Sequence, residues 1–197
     1  MSILFSVLLI QALHVLLILA DSFNITVIEA DTNGGTVSYR VWYGDGQAYV
    51  GTGIPDTVEQ AIDITTTETD TNIPAGLTKS AAGGGTGPSY FMAINTDPAA
   101  SDPVWFTDSP ASLPDTAAHR WVAYGGYLLP VDGAGHLVSA PLGGGAYLVP
   151  VSSSSSSAAA AAGTYSLRWI MDAGVAEGLG GTKVLLSSLP VLAVASS

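Results

Sequence analysis

An all-β fold is what this sequence predicts, and three observations predict it. Apolar residues alternate with small or polar ones over short runs, the pattern of half-buried strands. Gly and Pro are frequent, 23 and 11 of 197 residues, and they punctuate those runs as turn formers. Charged residues are only 11% of the chain against 48% hydrophobic, a mix unsuited to long surface helices, which lean on Glu, Lys and Arg. The expected architecture is an antiparallel β-sandwich, with a partly open β-barrel as the alternative. A signal peptide is expected over 1–22 and a single domain over 23–197, carrying flexible loops at 65–89 and 152–163.

Residues 1–20 read MSILFSVLLIQALHVLLILA and are followed at once by Asp21 and Ser22. An apolar run ending in small residues is the pattern of a secretory leader, cleaved after Ala20 or Ser22. The rival is a membrane anchor, since the run is about long enough to span. Gln11 and His14 interrupt it, and no Lys or Arg flanks it to fix an orientation. The missing basic n-region counts against the leader in turn. The expected localisation is secreted or extracellular, with anchoring by this segment as the alternative and no membrane span in the mature chain.

Next, Phe23, Ile25 and Val27 share one face of a short strand. Asn24-Ile25-Thr26 is the one N-glycosylation sequon, so Asn24 is the candidate glycan acceptor. Asp31-Thr-Asn-Gly-Gly35 reads as a turn; a calcium loop would need a distal bidentate carboxylate that is not there. Val37, Tyr39, Val41 and Tyr43 then alternate against Ser38, Arg40 and Trp42. Gly44-Asp45-Gly46 turns that strand into Gln47-Ala-Tyr-Val-Gly51, the best local hairpin in the chain. Val58, Ile62 and Ile64 fit a further strand, favoured by the threonines after them. The polar and then glycine-rich stretch 65–89 lacks the Lys-Ser/Thr of a phosphate-binding loop and reads as a surface loop.

Tyr90-Phe-Met-Ala-Ile-Asn95 has the composition of a buried strand. Prolines at 98, 103, 110 and 114 cut up the next segment, leaving at most an edge strand around Val104-Trp-Phe-Thr107. Within 120–171, Tyr127-Leu-Leu-Pro-Val131 returns as Tyr147-Leu-Val-Pro-Val151, glycines precede each copy, and Asp132-Gly133 supplies a turn. These read as two similar neighbouring strands, since two copies are too few for a solenoid. Residues 152–162, six serines and five alanines, offer no core face and read as an inserted loop. Tyr165, Leu167, Trp169 and Met171 alternate as a strand, and Lys183-Val-Leu-Leu-Ser-Ser-Leu189 closes the sheet. The apolar C-terminus could instead be a removed lipid-anchor signal, but Pro190 breaks it and two serines end it.

Composition excludes several functions. Five basic residues, Arg40, Lys79, Arg120, Arg168 and Lys183, stand against a formal net charge of −11. They cannot form a phosphate-binding stripe, so nucleic acid is not an expected partner. With no cysteine, disulfides, thiolate metal sites and cysteine nucleophiles drop out.

No catalytic residues are singled out. His119 and His136 lack a G-x-S-x-G nucleophile elbow to serve. A glycosidase pair could be drawn from Asp45, Asp63, Asp97, Asp102, Asp108 and Asp132, but most sit beside Gly or Pro, where Asp forms turns. Two histidines at unrelated spacing make no metal motif. Neither a metal nor a cofactor is therefore expected.

Aromatic residues remain. Four tryptophans and eight tyrosines stand in a chain with few charges, and planar rings can stack on sugars. Trp121 and Trp169, in apolar strands, are expected in the core. Trp42, beside Arg40 and Ser38, and Trp105, in the proline-rich loop, are the candidate ligand-stacking residues. The leader-like start, Trp121-x-x-Tyr124-Gly-Gly-Tyr127, Gly163-Thr-Tyr-Ser-Leu-Arg-Trp169 and Gly181-Thr-Lys-Val-Leu-Leu186 resemble small secreted β-rich fungal proteins, a resemblance that implies no activity. The expected function is a secreted, non-enzymatic extracellular or cell-surface protein with glycan or cell wall as partner. The alternatives are a carbohydrate-active hydrolase using a carboxylate pair, and a structural or host-interacting secreted protein.

Overall fold

The computed structural model describes residues 22–23, 25–30, 36–67, 76–80, 86–140, 142–151 and 163–188. Residues 1–21 of the leader expected over 1–22, the sequon residue Asn24, the turn at 31–35, the serine/alanine run 152–162 and the C-terminus from 189 lie outside the described residues.

Among the described residues, fourteen strands carry the fold. The first seven are β1 (Ser22–Phe23), β2 (Thr26–Ala30), β3 (Thr36–Gly44), β4 (Gln47–Val50), β5 (Ala61–Thr67), β6 (Gly76–Ser80) and β7 (Thr86–Asn95). Then come β8 (Trp105–Thr107), β9 (Ala117–Ala118), β10 (Arg120–Tyr124), β11 (Tyr127–Val131), β12 (Gly143–Pro150), β13 (Tyr165–Asp172) and β14 (Thr182–Ser187). One α-helix among the described residues, α1 (Ala173–Gly178), joins the last two strands. Named strands pair antiparallel, as in β3 with β4 and β12 with β13. The fold is therefore all-β and antiparallel, a sandwich and not a clean barrel.

The β3–β4 hairpin sits at its centre. Asp45 and Gly46 both have positive φ, 44° and 89°, the geometry that a two-residue turn needs to match the twist of its strands. From this hairpin, pairing runs in two directions. One circuit passes from β4 to β13, β12, β14 and β2 and returns to β3. The other passes from β4 to β8, β7, β6 and β5 and returns to β3.

The core lies between these layers. Ile25, Val27, Val41, Val50, Leu167 and Ile94 are fully buried in one cluster, as the alternation of their strands predicts. Trp121 and Trp169 meet edge to face within it, 6.4 Å apart at 84°. The indole N–H of Trp121 donates to the Met92 carbonyl at 2.8 Å, so the buried ring leaves no donor unmet. A second small cluster, Tyr147, Val149, Ile170 and Ala176, lies on the other face of β12 and β13. Helix α1 covers that face, and Asp172 caps it by accepting the Gly174 N–H at 2.7 Å.

The structure corrects four sequence expectations. The stretch 65–89 is not a continuous loop: β5 runs to Thr67, and β6 pairs with both β5 and β7. A backbone ladder needs no apolar alternation, and β-branched threonines suit extended strands. Strand β8 is no edge strand, because Trp105 pairs with Gln47 on one side and Ala93 on the other. Its three residues lie between the prolines, so their N–H groups are free to pair on both sides. The two Tyr-Leu-x-Pro-Val strands, β11 and β12, are not neighbours; β14 inserts between them. Finally, the strand expected from Val58 begins only at Ala61, after a loop held by Asp45, whose carboxylate accepts the N–H groups of Glu59 and Gln60.

Candidate outer-face binding site

Residues opposite one another in an antiparallel pair point to the same face. The register therefore builds a row from β12 to β3: Val149, Ser166, Tyr49 and Trp42 are successive partners. Val41, Val50 and Tyr165 form the next row and face the core, so the row through Tyr49 faces outward. Beside it, Gln47 partners Trp105, and Arg168 partners Tyr147 on one side and Pro103 on the other.

These side chains converge because the sheet forks. β4 pairs with β13 at Tyr49 and Val50 but with β8 at Gln47. The segment before β8 enters that fork: Val104 N–H donates to Leu167 O at 2.8 Å, and Trp169 N–H donates to Asp102 O at 3.2 Å. The outward residues at the fork are Tyr49, Gln47, Trp105, Ser166 and Arg168. Trp105, Tyr49, Gln47 and Arg168 are all half-buried, so each keeps some surface open to solvent.

The two sequence candidates thus share a face, diagonally across β4, but differ in exposure. Trp105 is half-buried. Trp42 is only 8% exposed, which corrects its place among the exposed rings. It stacks on Tyr49 at 4.8 Å and 19°, and its N–H donates to Gly51 O at 3.2 Å. One ring face and the polar edge are therefore engaged inside the protein. Trp42 supports the site through Tyr49 and is not itself the open ring. Asn24, the glycosylation candidate, lies outside the described residues.

The polar groups at the fork are unevenly satisfied. The Tyr49 hydroxyl donates to Gln47 Oε1 at 3.3 Å. Burial raises the Tyr49 pKa and the nearby Asp45 adds to it, while Arg168 opposes them. Arg168 donates from Nη1 to Ser101 O at 3.0 Å, but its Nε, shielded from solvent, has no acceptor among the described residues. Ser166, 7% exposed, likewise has a shielded hydroxyl without a partner among the described residues.

Sequence reasoning named neither Tyr49 nor Arg168 as a site residue. The signal for Tyr49 was its place opposite Trp42 in a hairpin whose turn was legible. Arg168 carried no local signal, because its neighbours at the fork come from positions far away in the chain. Another pair also escaped the sequence reading: Tyr124 and Tyr127 face each other across the Gly125-Gly126 turn, 77% and 40% exposed.

The candidate histidines are not brought together in one constellation. His119 is half-buried against Phe91, with its pKa lowered by burial and by Arg120. His136 sits in the turn after β11, within 3.4 Å of Asp132. Among the described residues no group of three metal-ligating side chains occurs, and no helix is long and apolar enough to cross a membrane.

Fold and face together define an all-β protein with an aromatic and arginine-bearing fork on one sheet surface. No family model, curated protein or solved structure matches the chain.

Proposed function

We propose that this is a secreted, non-enzymatic protein of the extracellular space or cell surface that binds glycan at the fork face. The observation carrying this reading is the grouping of Trp105 and Tyr49, both half-buried with some ring surface open, with the Gln47 amide and the Arg168 guanidinium. Aromatic faces stack on the C–H faces of sugars, and amide or guanidinium groups bond the hydroxyls between them. Secretion rests on the leader-like 1–22. The absence of turnover rests on how nearby carboxylates are engaged. Asp45 holds the Glu59 and Gln60 N–H groups, and Asp102 accepts from Asn95 Nδ2 at 2.7 Å.

The test is retention of the chain on insoluble chitin, β-glucan and cellulose. Binding to at least one polymer is expected, weakened about tenfold or more by Trp105→Ala, on the scale of one lost stacking contact. Retention lost through Tyr124→Ala and Tyr127→Ala, with Trp105→Ala neutral, would move the site to the β10–β11 tip. No retention on any polymer would end the glycan reading.

A further inference from the structure

The fork carries a charge that no described carboxylate balances. Arg168 has no carboxylate within ion-pair distance among the described residues; its Nη1 donates only to the neutral carbonyl of Ser101. Acidic residues outnumber basic ones 16 to 5 in this chain, so an unpaired arginine is not explained by scarcity of carboxylates. Removing a guanidinium from water without a counter-ion is unfavourable unless another group compensates. Arg168 is half-buried, and its Nε is fully shielded with no acceptor.

Ser166 makes the same point independently. It lies two residues earlier on the same face of β13, is more than nine-tenths buried, and leaves its hydroxyl without a partner. The Ser166 hydroxyl and the Arg168 Nε, two residues apart on one strand face, are two donors without an acceptor among the described residues. Beside them lie the Tyr49 and Trp105 rings. Gln47, whose Oε1 already accepts from Tyr49, adds an amide that can donate. A hydroxyl-only sugar would meet the rings and the amide but leave the guanidinium charge unbalanced. A carboxylate would balance it, since arginine matches that group's planar geometry with two parallel bonds.

We propose that the fork between β4, β8 and β13 takes a carboxylate-bearing saccharide, a uronic acid unit, with Arg168 holding the carboxylate and Trp105 and Tyr49 holding the ring. This rests on the glycan reading and narrows it to acidic sugars. The overall charge of −11 does not forbid it, because at physiological salt the Debye length is only about 8 Å, and the contact at Arg168 is shorter than that.

The discriminating pair of probes is polygalacturonate oligomers and the same oligomers with their carboxyls methyl-esterified. They share a sugar backbone and differ in charge. Binding of the full chain to each is measured by calorimetry in about 0.15 M salt, the physiological level. The free acid is expected to bind about tenfold to a hundredfold more tightly, the range of one charge-assisted contact. Arg168→Gln should bring the two affinities together, and Arg168→Lys should keep part of the difference. Both variants are checked for folding by their thermal midpoints. Equal binding of the two oligomers, or a preference that survives Arg168→Gln, overturns the proposal and leaves the glycan reading standing. Binding of neither oligomer, together with no retention on the neutral polymers, overturns both.

Discussion

Trp42 and Tyr49 stack face to face across the β3–β4 hairpin, 4.8 Å apart and 19° from parallel, directly above a glycine. A Cβ on Gly44 would lie 2.9 Å from both rings. Gly44 lacks the left-handed backbone of its neighbour Gly46, so its need for glycine is one of space. Gly44→Ala should part the stack and destabilise the fold by about 1–3 kcal/mol, as overpacking does. The measurement is urea unfolding together with near-ultraviolet dichroism of the coupled rings. An unchanged aromatic signal would mean the stack has room to spare. Gly51→Ala should be worse, because Gly51 has φ +114° and a Cβ there would collide with the Gly163 backbone.

The tryptophans at 42 and 105 should separate cleanly in stability measurements. Trp42 is buried and hydrogen-bonded, so Trp42→Ala should destabilise by about 3–5 kcal/mol. Trp105 is only half-buried, and Trp105→Ala should cost about half of that or less, since less apolar area leaves water. Equal losses in denaturant titrations would contradict the assignment of one ring to support and the other to contact.

Asp45 has two tasks, and one variant divides them. Its φ of +44° is unusual for a non-glycine residue, and its carboxylate accepts the Glu59 and Gln60 N–H groups at 2.7 and 2.9 Å. Asp45→Gly keeps the turn and removes the acceptors. Hydrogen exchange should then speed at Glu59 and Gln60 while the amides of β3 and β4 keep their protection. Faster exchange throughout the hairpin would assign the carboxylate a role in the turn itself.

Asp132 should titrate below the ordinary carboxylate range. The leading cause is the His136 backbone N–H, 2.8 Å from Oδ1; the Ala134 N–H and the His136 ring assist, and desolvation opposes them. Since the folded pKa is the lower one, the linked stability is present above the unfolded value of roughly 3.9. It is lost as pH falls through the folded pKa. The carboxyl carbon shift of Asp132, followed by NMR, gives the midpoint directly. His136→Ala should leave most of the depression in place, because the backbone donor remains. A return to the ordinary value would make the imidazole the dominant partner.

Much of the fold was legible because it is local. Alternation placed Ile25, Val27, Val41, Leu167 and Trp169 toward the core, and Asp45-Gly46 announced its hairpin. Helix α1 was missed although Asp172 is a good capping residue, because six residues give too little periodicity to register against strand alternation. The β6 strand was missed because threonine and glycine look alike in loops and in ladders.

By itself, then, the sequence determined the class of the fold and the inward side of most strands, since side-chain alternation is a property of adjacent residues. It also determined that no thiolate site can form, since the chain has no cysteine. Only the tertiary structure decided which strands are neighbours, that Trp42 is covered, and that Arg168 meets no described carboxylate at the fork with Tyr49 and Trp105. Strand order depends on pairing between distant segments, and an outward position becomes a site only through the neighbours that the register brings to it.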